Sequence, residues 1–165
     1  MITTSVQADL ETLHQYLAAI RERQPLKAGR PENDQELDAI KRDLTCIVGL
    51  VRRIGIAVAT SLHGVLSANR EDCFVILATE GVITTHLADV LHTAVRSWEL
   101  FATALEDINA TVTSHFCRCF LKDFDAYAQA VQLYQSGDSE APPAARAIAS
   151  RATPSVRKRP KCSAR

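Results

Sequence analysis

Apolar residues return along this chain in alternating steps of four and three, the spacing that lays a stripe down one side of a helix. Val6, Leu10, Leu13, Leu17 and Ile20 mark the first such stripe and predict a helix over 4–24, with Thr4 and Ser5 as cap candidates. Residues 24–33, which contain Pro25, Gly29 and Pro31, read as a loop. Asn33 and Asp34 offer the next cap, Glu36 suits the first turn, and Leu37, Ile40, Leu44, Ile47, Val51, Ile54 and Val58 carry a helix over 34–67. The back of this helix changes character midway. Lys41 and Arg42 give way to Gly49, Ile56, Thr60, Gly64 and Ser67, small or apolar apart from Arg52 and Arg53. A helix apolar in front and small behind is clasped from two sides. Gly49, Ile56, Thr60 and Gly64 are therefore expected at an interface, with Trp98 as a further anchor candidate that also sits on a core stripe.

A third stripe runs Ile76, Ile83, Leu87, Leu91, Ala94, Trp98, Phe101, Leu105 and Ile108, which predicts a helix over 71–107. The β-branched and cap-type run Ile108 to Ser114 is the place for a bend. Phe116, Phe120, Phe124, Tyr127, Val131 and Tyr134 then mark a last helix over 112–135 that ends at Ser136 and Gly137. If Asn109 does not interrupt the chain, residues 71–135 become one rod of roughly 95 Å. The runs Cys46–Val51, Ile54–Ala59 and Cys73–Ala78, the last followed by Glu80 and Gly81, also suit strands. Helical spacing passes straight through the first two of them and decides for helices.

Composition narrows the class. The 165 residues have room for one domain that buries roughly two thirds of its unfolded surface. With 47% hydrophobic but only 5% aromatic residues, dominated by Ala, Leu, Val and Ile, the mixture favours helices packed on helices. No proline falls between Glu32 and Ala141. The expected fold is all-α, an antiparallel helical bundle or an elongated coiled-coil-like helical hairpin over 1–136, followed by a disordered basic C-terminal tail over 137–165.

Charge changes the picture once its position is considered. Lys and Arg number 19 and so do Asp and Glu, yet all the acids lie at or before Glu140, while 141–165 carries seven basic residues and no acid. The first 140 residues sum to 12 − 19 = −7 and the last 25 to +7. Arg157, Lys158, Arg159 and Lys161 form a compact cluster that an import receptor, nucleic acid or an anionic surface would attract. Cys162 beside it is open to acylation, and phosphates on Ser150, Thr153 or Ser155 would tune it. No aromatic residue is interleaved there to stack on bases.

No secretory signal is apparent. The longest uncharged stretch, Ile54–Asn69, is shorter than the ~20 apolar residues of a membrane span, so no transmembrane segment is expected. Five cysteines without framework spacing fit a reducing, intracellular setting, cytoplasmic or nuclear. Asn109-Ala110-Thr111 matches a glycosylation acceptor by chance.

Glu11 with His14, and Asp89 with His92, have the E-x-x-H type of spacing used in bundle di-metal sites, but Glu36, Asp123 and Asp125 are not placed to complete one. His115, Cys117 and Cys119 are metal-capable, although a C-x-C on a helix points its thiols apart and no second pair completes a zinc site. Phosphate loops, nucleophile elbows and dinucleotide fingerprints are absent. The reading is a non-enzymatic helical adaptor or assembly subunit, with no cofactor, acting on a protein partner or a second copy through its helix faces. A nuclear or nucleic-acid-associated regulator acting through the tail is the runner-up, and a bundle metalloenzyme the third reading.

Overall fold

The structure is a computed structural model and describes residues 4–23, 34–64, 73–103 and 109–137. Five helices follow one another among these residues: α1 (Thr4–Glu22), α2 (Asp34–His63), α3 (Cys73–Thr79), α4 (Thr85–Thr103) and α5 (Ala110–Ser136). The fold is all-α, as the spacing predicts. Residues 138–165, including Arg157, Lys158, Arg159 and Lys161, lie outside the described part.

The 30-residue α2 is the spine, and each of the other four helices packs against it. α1 lays Val6, Leu10, Leu13, Leu17 and Ile20 against α2 and also reaches α5, so its one stripe is wholly buried. α2 is buried on more than one side, with Ile40, Leu44, Ile47, Val51, Ile54 and Val58 joined by Val48, Leu50 and Ala59. Among the described residues α2 is the one helix long and apolar enough to cross a membrane by length and hydropathy, and half of its most apolar 18-residue window is buried within the bundle.

The third predicted helix is two. After Thr79 the Gly81 amide donates to the Ala78 carbonyl (3.1 Å) and the Val82 amide to that of Leu77 (2.9 Å), with Gly81 at φ +75°. This is a Schellman termination, which requires a left-handed residue that glycine supplies without a Cβ clash. Val82 and Ile83 turn into the core, and Thr84 starts α4 by accepting the Leu87 amide on its hydroxyl (3.2 Å). Ile83, counted as a stripe residue, is thus a buried loop residue.

The single rod does not form either. Asn109 is extended (φ −89°, ψ 171°) and its side chain accepts the Val112 amide at 3.0 Å, which caps α5 afresh. α4 and α5 then lie side by side, with the Trp98 and Phe116 ring centroids 4.9 Å apart. Gly137 closes α5 at φ +75°.

Ion pairs run between helices as well. Arg53 reaches Asp9 with its Nε at 2.7 Å from Oδ2, Arg52 pairs with Glu99, Arg21 with Asp125, and Arg23 lies 3.4 Å from Asp43. These tie α2 to α1 and α4, and α1 to α5. Most are solvent-exposed and set orientation more than stability.

Candidate functional site

The expected interface residues are placed in five different ways. Gly49 is exposed, and a Cβ there would meet nothing. Ile56 is half-buried against the core, and Thr60 spends its hydroxyl on the Ile56 carbonyl at 2.7 Å. Gly64 has φ +80° and donates its amide to the Thr60 carbonyl at 2.8 Å, so it serves to end α2 four residues before the predicted boundary. Trp98 is buried at 2% exposure, with its indole N–H donating to Thr45 Oγ1 at 3.1 Å. The small residue at a true close approach is Gly55, which sequence reasoning missed. A Cβ there would sit 3.1 Å from Cys73 Sγ and 3.3 Å from both Phe74 and Tyr127 Oη.

The metal-spaced pairs remain separate, on α1 and α4. His14 is exposed with Nδ1 2.8 Å from its own helix carbonyl at Leu10. Among the described residues no group of three or more His, Cys, Asp or Glu is arranged to hold a metal ion. His115, Cys117 and Cys119 divide as the helical wheel requires. His115 Nε2 and Cys119 Sγ meet at 3.5 Å on the surface, while Cys117 turns inward, where burial pushes its thiol up to about 12.

The juxtaposition that the fold itself creates is elsewhere. α2 ends at His63 and α3 at Thr79, each closed by a left-handed glycine, Gly64 and Gly81. The packing of α3 against α2 brings these two ends together, and His63 Nε2 lies 3.1 Å from Glu80 Oε1. The contact joins residues 17 apart in sequence. Both side chains stay open to solvent, at 47% and 39% exposure, so a substrate can reach either. An imidazole held by a carboxylate accepts a proton on one nitrogen while the carboxylate fixes its orientation and steadies the cation that forms. No motif in the sequence marks this pair: each residue precedes a glycine at a helix end, and the α2–α3 packing alone makes them partners.

No family model and no curated protein matches the sequence. Solved structures do share the arrangement. A tri-AMPylated HEPN toxin from Shewanella oneidensis, in complex with its MNT antitoxin, superposes with a TM-score of 0.66 at 16% identity, covering 79% of this chain and 98% of that one. A toxin–antitoxin complex with AMP-PNP gives 0.60 at 16% identity over 78% and 98% of the two chains. A tyrosine-to-alanine mutant of the MntA–HpeT toxin–antitoxin gives 0.56 at 16% identity over 77% and 96%. These neighbours overturn the expectation of a non-enzymatic adaptor and with it the answer that the chain is no enzyme. The long stripes also meet one another in a core within one chain, and of the back of α2 only Ile56 packs partly against it. At this level of identity the likeness is one of architecture, and the chain has the helical fold of these HEPN toxins.

Proposed function

We propose that this chain is an enzyme of the toxin class, the helical half of a toxin–antitoxin pair inside the cell, with chemistry directed at the phosphodiester bonds of RNA. The observation that carries the reading is the shared fold over about four fifths of the chain with toxins solved beside antitoxins, one of them adenylylated and one complex holding a nucleotide analogue. The His63–Glu80 pair is the candidate catalytic machinery. In phosphodiester cleavage by the neighbouring 2′-hydroxyl, neutral His63 removes the hydroxyl proton as the oxygen attacks phosphorus, and the 5′-oxygen leaves with a proton from solvent. Glu80 orients the ring and steadies the imidazolium. The body's acidic charge calls for basic residues to hold the substrate, and Arg157, Lys158, Arg159 and Lys161 supply them from the tail.

The test is incubation of the purified full-length chain with a labelled single-stranded RNA and measurement of fragment release. His63→Gln should slow cleavage by a factor on the order of 10²–10⁴, and Glu80→Gln by less, since it leaves the base in place. Cleavage that is undiminished in His63→Gln removes this site, and no cleavage of any RNA by the unmodified chain removes the activity.

A further inference from the structure

The outward face of α5 has a composition unlike the rest of the body. Thr111, His115, Arg118, Cys119, Lys122, Ala126, Gln129 and Leu133 are all exposed and fall on one side of the helix. No carboxylate is among them. The two acids of α5 lie off this face: Asp123 is half-buried, and Asp125 is paired with Arg21 of α1.

Of the other seven Lys and Arg among the described residues, only Arg42 and Arg96, on α2 and α4, lack a carboxylate neighbour, and each stands singly. Arg21, Arg23, Lys41, Arg52 and Arg53 each lie within ion-pair distance of a carboxylate. Arg118 and Lys122 do not, and with His115 they form a row about 10 Å long at ~1.5 Å per residue. On a body that sums to −7 over its first 140 residues, such a row is the opposite of the average surface. The same helix leads, past Gly137, into the segment that carries seven basic residues and no acid.

We infer that the outer face of α5 is a docking surface for the phosphate backbone of a single RNA strand, with Arg118 and Lys122 as the fixed phosphate contacts and His115 and Gln129 as flanking hydrogen-bonding groups. Charge complementarity carries the inference: a polyphosphate is attracted by this row and by the tail, and repelled by the acidic remainder. The inference rests on the RNA-directed reading above but concerns binding, so it is measured without turnover.

The experiment uses full-length protein carrying His63→Gln, which keeps the strand intact, and a fluorescein-labelled 20-nucleotide RNA whose anisotropy is followed between 50 and 200 mM salt. Each phosphate contact on a single strand contributes about 0.7 to the slope of log affinity against log salt. Arg118→Gln/Lys122→Gln should therefore reduce the slope by about 1.4. Arg118→Lys/Lys122→Arg should retain the slope, and so should Arg42→Gln, which removes an exposed unpaired cation on α2. An unchanged slope in the Arg118→Gln/Lys122→Gln protein overturns the inference, whatever the cleavage assay shows. Equal competition by a poly-glutamate peptide at matched charge also overturns it, since the face would then serve an acidic protein. A reduced slope together with no cleavage by the unmodified chain leaves the surface standing and removes only the nuclease reading.

Discussion

At Gly55 the space that a side chain would fill is already taken by the Cys73 thiol, the Phe74 ring and the Tyr127 hydroxyl. The first of these contacts, at 3.1 Å, is tighter than ordinary van der Waals packing, so an added methyl must push aside side chains that are themselves buried in a close-packed core. Gly55→Ala should cost about 1–3 kcal/mol by overpacking, read as a drop in the denaturation midpoint at unchanged slope. Tyr127 donates to the Val51 carbonyl at 3.2 Å, and Tyr127→Phe should cost about 1 kcal/mol by the same measurement. Two buried acids set an alkaline limit. Cys117 ionises ordinarily near 9.0 but only near about 12 in the folded chain, and burial pushes Tyr127 well above 10.0. Both raised values mean that the unfolded chain loses its protons first. The stability tied to neutral Cys117 is therefore complete below pH 9 and falls as pH rises toward 12, by about 1.4 kcal/mol per pH unit, with Tyr127 adding to the loss above pH 10. Cys117→Ala should flatten the fall in urea-measured stability between pH 9 and 10. At pH 8 a brief iodoacetamide pulse should label exposed Cys119 well before Cys117, as peptide mass spectrometry would show.

Among the elements, the turn between α3 and α4 decides where the candidate pair meets. Gly81 is held at φ +75° by two amide–carbonyl bonds, so Gly81→Ala should destabilise the protein by about 1 kcal/mol and loosen Glu80 from His63. The RNA assay should then show lower activity under conditions where circular dichroism reports full helicity. Helical spacing made most of the fold legible, since α1 buries its whole stripe and α2 and α5 bury theirs apart from the half-buried Leu37, Phe120 and Tyr134. It failed between 79 and 84 because a period in apolar residues does not register a turn whose own residues, Val82 and Ile83, are apolar and buried. The Glu80-Gly81 pair and Thr84 were the local signals that outranked it. His63 and Glu80 were not legible as a site at all. Neither lies in a motif, and their proximity is a product of α3 packing on α2 across residues that the sequence leaves between them.

For the molecule as a whole, the division of charge between body and tail gains a location. Ion pairs hold five of the body's described cations, Arg42 and Arg96 stand singly on α2 and α4, and α5 carries Arg118 and Lys122 together on one face. The helical stripes meet one another in a core that runs from Val6 to Val131. The order in which the helices pack bears on how the chain is made. α1 with α2, α2 with α3, α3 with α4 and α4 with α5 are all neighbours in sequence and can dock as they leave the ribosome, but α1 and α2 also hold the seat for α5. That seat stays uncovered until the last helix is synthesised, so a ribosome stalled before residue 110 would hold a chain with its central groove open to chaperones and proteases.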